Sequence, residues 1–139
     1  MVDFFAVFFL VLFMPSISII ARKLLGVDSS LSFIDWLILL WLYSNPSDSG
    51  KRSLTSLQKT LRRIPDFHKP DGSIAFKDSQ LEQLILSSLK KLKEKGFVKI
   101  FSSQNGYTVI ELTVEGTNFL GSNVSDSDKN FLREYGMLK

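Results

Sequence analysis

The apolar residues of this 139-residue chain change their spacing at Gly96, from a helical period of about 3.6 to a strand period of 2. Before that point, SQLEQLILSSLKKLKEKG reads as a helix beginning at Asp78 or Ser79, with Leu81, Leu84, Ile85, Leu89 and Leu92 facing inward and Gly96 as its stop. After it, FVKIFSSQNGYTVIELT contains Asn105-Gly106, a strong signal for a tight hairpin turn. A two-residue turn there predicts Phe101 opposite Ile110 and Lys99 opposite Leu112. Phe97, Phe101, Ile110 and Leu112 would then line one core face. The tip, Ser102 to Thr108, is expected to be polar and exposed.

The preceding segments extend the helical part. LSFIDWLILLWLY, Leu31 to Tyr43, is short for a membrane span and contains Asp35, so it reads as a buried helix with Ser32 as N-cap. It should stop before Asn45-Pro46, leaving a loop from Ser44 to Gly50. In KRSLTSLQKTLRRI, Leu54, Leu57, Leu61 and Ile64 recur at amphipathic spacing. Lys51, Arg52, Lys59, Arg62 and Arg63 are left for solvent or a ligand. Pro65 ends that helix, and PDFHKPDGSIAF is a connecting loop. Beyond the hairpin, a short helix from Thr113 carries Phe119 and Leu120 to Gly121. A last one, Asp126 to Tyr135, is capped by Ser125 or Asp126 and has Phe131, Leu132 and Tyr135 on one side. It is too short to stand alone and must pack on this domain or on a second copy.

Charge narrows the function classes. Residues 51–100 carry twelve Lys or Arg against five acids, while the segments on either side are each at −2. A basic centre in an otherwise acidic chain points to a polyanion, nucleic acid or phospholipid. No cysteine is present and His68 is the single histidine, so disulfides and the usual transition-metal ligand sets are excluded. His68 itself reads as a surface residue. Serines and threonines lack a general base, no Gly-rich phosphate loop follows a strand, and no carboxylate pair has catalytic spacing. An enzyme is therefore not expected, and neither a cofactor nor a metal is expected.

Helices followed by a hairpin, with LKKLKEKGFVKI, SSQNG and YTVIELTVEGTNFL in sequence, resemble the third helix, wing and closing helix of PadR-like and MarR-like winged-helix regulators. Leu112, Thr113 and Gly116 match the Leu-Thr-x-x-Gly ending, and FIDWLILLWLY is similar to the first helix. The resemblance covers about residues 31–120. It implies a mainly α protein with a two-stranded β-hairpin wing (α+β), a winged helix-turn-helix with an extra hydrophobic N-terminal helix and a short C-terminal one. The expected units are 1–27, 28–121 and 122–139. It also implies double-stranded DNA as partner, a homodimer, and a role in transcription regulation. Base contacts would fall to Ser79, Gln80 and Gln83. Backbone contacts would fall to Lys51, Arg52, Lys59, Arg62, Arg63, Lys77 and Lys99, with Ser103, Gln104 and Asn105 at the wing tip. Two departures stand out: the long Pro65–Lys77 connection, and Asp78 and Glu82 at the start of the third helix. A winged helix used only for protein contact is the second reading. Lys90, Lys91, Lys93 and Lys95 complement the dipole of the third helix, a stabilising role.

FFAVFFLVLFM, Phe4 to Met14, puts eleven apolar residues in a row, followed by Pro15. With Asp3 as the lone charged side chain before it and no cleavage pattern after it, a secretory signal is not expected. Phe4 to Ala21 as one helix would be about 27 Å long, enough to cross a hydrocarbon core and associate with a membrane, with Arg22 and Lys23 holding its far end in the cytoplasm. Alternatively the run breaks at Pro15; Ile17, Ile20, Ala21 and Leu24 then form an amphipathic stripe ended by Gly26. Phe4 to Met14 would in that case be buried in a dimer core. Both readings leave the basic domain in the cytoplasm, anchored to the membrane face or free.

Overall fold

A computed structural model describes residues 17–44, 51–102 and 104–136. The described chain runs α1 (residues 17–24), α2 (Phe33–Tyr43), β1 (Lys51–Ser53), α3 (Leu54–Arg62), a 3-10 turn at Pro65–Phe67, α4 (Asp78–Glu94), β2 (Val98–Ser102), β3 (Thr108–Leu112), α5 (Val114–Asn123) and α6 (Asp126–Gly136). It is a mainly helical α+β arrangement. The strands form one antiparallel sheet in the order β1-β3-β2, so a short third strand joins the expected hairpin.

The centre of the core is α2, whose residues from Asp35 to Leu42 are all buried. A helix apolar on every side needs partners on every side, and α4, α5 and β3 supply them. Trp36 stacks on Phe119 of α5 with centroids 5.5 Å apart, and Phe119 in turn stacks on Phe97 at 4.6 Å. The N-terminus of α2 closes with a capping box. The Ser32 N–H donates to Asp35 Oδ2 at 2.8 Å and the Asp35 N–H to Ser32 Oγ at 3.3 Å, satisfying two otherwise free helix donors.

Asp35 does more than complete the capping box. Fully buried, it accepts from the Ser88 hydroxyl and from Lys91 Nζ at 2.7 Å, both on α4. A carboxylate in a protein interior is tolerated when its lone pairs are filled in this way. Lys91 is thus tied to one specific acid as well as to the helix dipole.

Two glycines fit positions that other residues would strain. Gly96 has φ +81, and the bonds Gly96 N–H to Lys93 O and Phe97 N–H to Leu92 O, both 3.0 Å, end α4 in a Schellman motif. Gly116 sits where an added Cβ would be 2.3 Å from the Phe97 carbonyl oxygen. Its neighbour Thr113 caps α5, its Oγ1 accepting from the Gly116 N–H at 3.0 Å and donating to Gly96 O at 2.6 Å. The Leu-Thr-x-x-Gly segment therefore fastens α5 to the end of α4.

Several expectations need correction. The hairpin pairs Phe101 with Val109, Ile100 with Ile110, Lys99 with Glu111 and Val98 with Leu112. This is one residue away from the expected register, and such a slip exchanges the two faces of β2 while Ile110 and Leu112 of β3 stay inward. Val98, Ile100, Ile110 and Leu112 face the core, Lys99 lies opposite Glu111, and Phe101 is 41% exposed. The physical reason is that this register buries four aliphatic side chains and keeps a charged pair outside. Lys51 and Arg52 belong to β1, paired with Glu111 and Ile110, because Ser53 caps α3 by accepting from the Ser56 N–H at 3.1 Å. Leu84 is 38% exposed, and Ser88 takes an inner position beside Asp35. The helix α5 continues through Gly121 to Asn123, a glycine inside a helix costing only about 1 kcal/mol.

At the N-terminal side, Ile17, Ile20, Ala21 and Leu24 are buried as the amphipathic reading expects, and they share the main core. Arg22 bonds Asp66 and lies 5.4 Å from the Phe33 ring centroid, while Lys23 is 3.8 Å from Asp128 of α6. Among the described residues, no helix is long and apolar enough to cross a membrane. Phe4 to Met14, on which the anchor and dimer readings divide, lies outside the described residues.

Candidate nucleic-acid interface

The basic residues of the middle segment gather on α3, α4 and the connection between them. Lys59, Arg63 and Lys77 are exposed. Arg62 is half-buried and bonds Asp78 at the start of α4, so one expected phosphate ligand is already partnered by an acid of the next helix. The two helices enclose a cleft lined by Thr55, Gln58, Lys59, Arg62, Asp78 and Glu82.

The long connection is a small structured element rather than a slack loop. Lys69 N–H donates to Ser73 O at 2.7 Å and Ala75 N–H to Phe67 O at 2.8 Å, with His68 bridged to Ile74. His68, expected at the surface, is half-buried with Nε2 2.8 Å from Arg62 O and Nδ1 3.1 Å from Gly72 O. It pins the connection to the end of α3. Phe67 joins this element to the core through edge contacts with Phe33 and Phe76, at 6.3 and 5.8 Å.

Two carboxylates of the connection are held below their usual range. Hydrogen bonds from the Ser73 hydroxyl and N–H pull Asp71 down. For Asp66, partial burial pushes upward, but the Arg22 hydrogen bond and charge outweigh it and leave the group lowered. Both acids therefore stay ionised near neutrality and offset some of the basic charge.

The expected base-contact residues share one surface. Ser79, Gln80 and Gln83 are exposed on α4 and line an open crevice with Phe76, Leu84 and Ser87. They differ in freedom, since Gln80 Oε1 already accepts from the Lys77 N–H at 2.9 Å. Phe76, Leu84 and Ser87 were not legible as site residues. Leu84 fits the inward stripe by spacing, and Phe76 precedes the helix.

The remaining expected contacts lie apart. Lys99 is exposed on β2, and Gln104 and Asn105 are exposed in the turn that Gly106 closes with φ +81. Ser103 lies outside the described residues, and of Lys51 and Arg52 the backbone alone is described. Among the described residues there is no group of three or more His, Cys, Asp or Glu able to hold a metal. Set against known protein families, curated proteins and solved structures, the chain matches none.

Proposed function

We propose that this chain is a winged helix-turn-helix protein that binds double-stranded DNA in transcription regulation, with α4 in the major groove and the β2–β3 hairpin along the backbone. The element order α2, β1, α3, α4, β2, β3 and the strand order β1-β3-β2 support that fold. The observation that carries the function is the exposure of the polar side chains of α4 and the cations around it: Ser79 and Gln83, which can bond base edges, and Lys59, Arg63 and Lys77 for phosphates, are all exposed. Lys99, Gln104 and Asn105 on the wing complete the backbone contacts.

A homodimer would present two such helices to a two-fold site. The setting we propose is the cytoplasm, with Phe4–Met14 either shared between protomers or resting in the membrane. The second reading, a protein-contact module without DNA binding, draws on the Arg62–Asp78 pair, which reduces the positive field where α3 meets α4.

Binding of the full-length chain to duplex DNA, titrated at several salt concentrations, tests the proposal. The full chain is needed because a start at residue 28 would strip Ile17, Ile20, Ala21 and Leu24 from the core. The four exposed cations Lys59, Arg63, Lys77 and Lys99 predict a slope of log affinity against log salt of about −4. Arg63→Ala should weaken binding on all sequences alike and reduce that slope by about 1. A flat salt dependence, or no binding, overturns DNA binding and favours the protein-contact reading.

A further inference from the structure

The α4 surface carries an asymmetry that general DNA binding does not require. From Asp78 to Leu89 the helix contains no Lys or Arg. Guanine presents two acceptors, O6 and N7, in the major groove, and a side chain with paired donors is needed to read them. The stretch offers neither of the usual guanine readers, Arg or Lys. Glu82, which could accept from the cytosine amino group, lines the cleft toward α3 instead.

What it offers is one free-standing amide beside apolar atoms. A glutamine amide has a donor and an acceptor, the complement of adenine N7 and N6. Gln80 has already committed its oxygen to the Lys77 N–H, which leaves Gln83 as the bidentate reader. Leu84, 38% exposed, and half-buried Phe76 line the same crevice. Apolar side chains beside an adenine reader have one match in the major groove, the C5-methyl of thymine. The cations nearest along the chain, Lys77 at the N-cap and exposed Lys90 beyond Ser87, bracket the crevice in sequence, as phosphates bracket the base edges.

We infer that α4 selects A·T pairs through the major groove, Gln83 bonding adenine and Leu84 with Phe76 packing on the thymine methyl. This rests on the DNA-binding reading above and adds the specificity-determining residues.

The experiment compares the full-length chain on three labelled duplexes of equal length and salt: an A·T block, a G·C block, and the A·T block with deoxyuridine in place of thymidine. Uracil lacks only the methyl, so that arm needs no protein variant. The A·T block should bind about tenfold tighter than the G·C block, the scale of one good bidentate pair. Uracil should weaken binding about fourfold, the scale of burying one methyl-sized group. Leu84→Ala should erase the thymine–uracil difference, and Gln83→Ala should shrink the A·T preference.

Equal affinity for all three duplexes with a steep salt slope overturns this inference while DNA binding stands. An A·T preference indifferent to uracil also overturns it, because that pattern belongs to minor-groove or shape readout. No binding to any duplex overturns both readings together.

Discussion

The inner and outer faces of α4 share one backbone and similar leucine content, yet they have different fates. Leu81, Ile85, Leu89 and Leu92 are buried with Ser88, whereas Leu84 and Leu86 are exposed beside Ser79, Gln83 and Ser87. Apolar character alone does not separate the faces. The division follows what lies opposite: α2 brings a buried carboxylate, Asp35, and the side chains that reach it are the serine and lysine of the inner edge. The buried aliphatic stripe and the polar contacts to Asp35 agree on one rotation of the helix, which leaves Leu84 and Leu86 exposed.

The largest expected effect tests that division directly. Ile85→Ala should cost about 3 kcal/mol in urea unfolding, as for other buried aliphatic truncations. Leu84→Ala, one residue earlier, should cost about 1 kcal/mol or less because its side chain is already partly in water. Similar costs would mean that the two faces are not distinct. Next comes Lys91→Ala, which strips a cation from a fully buried carboxylate. Since Lys91 is 41% exposed, solvent screens the pair and the loss should be about 2 kcal/mol, below the 3–5 kcal/mol of a fully buried one.

The outer ion pair provides the contrast. Arg62→Ala should change stability by less than about 1 kcal/mol, since Asp78 is 79% exposed and Arg62 is 37% exposed. A loss as large as that of Lys91→Ala would make Arg62 a structural residue held by Asp78.

The smallest effect is a pH dependence away from α4. Asp66 is lowered in the folded protein, so its contribution is complete above the unfolded value of about 3.9 and disappears as pH falls through the folded value. Acid titration of unfolding stability should therefore show a loss below about pH 4 that is smaller in Asp66→Asn. An unchanged acid limb would mean that the Arg22–Asp66 bond adds nothing to the hold on α1.

Local signals were legible wherever a boundary is made by neighbouring residues. Ser32 with Asp35, Gly96 after the last helical leucine, and Thr113 with Gly116 all act within a few residues of their own position, so spacing reveals them. The hairpin register was not legible. Asn105-Gly106 marks a turn, but the choice between neighbouring pairings is made by which register covers the core under α2. Nor was β1 legible, because three residues leading into an amphipathic helix look like its first turn until β3 lies beside them. The candidate site divides in the same way: Ser79, Gln80 and Gln83 were expected from the winged-helix resemblance, while Leu84 and Phe76 emerged from packing.

By itself, the sequence determined the existence of the helices, the hairpin, the caps and the basic middle segment, since short-range hydrogen bonding and periodicity are properties of contiguous residues. The tertiary structure alone decided which face of β2 is buried, the third strand, the pairing of Asp35 with Ser88 and Lys91, and the side of α4 left exposed. Those choices depend on contacts between residues far apart in the chain, where burial and charge pairing are settled by what the opposing element offers.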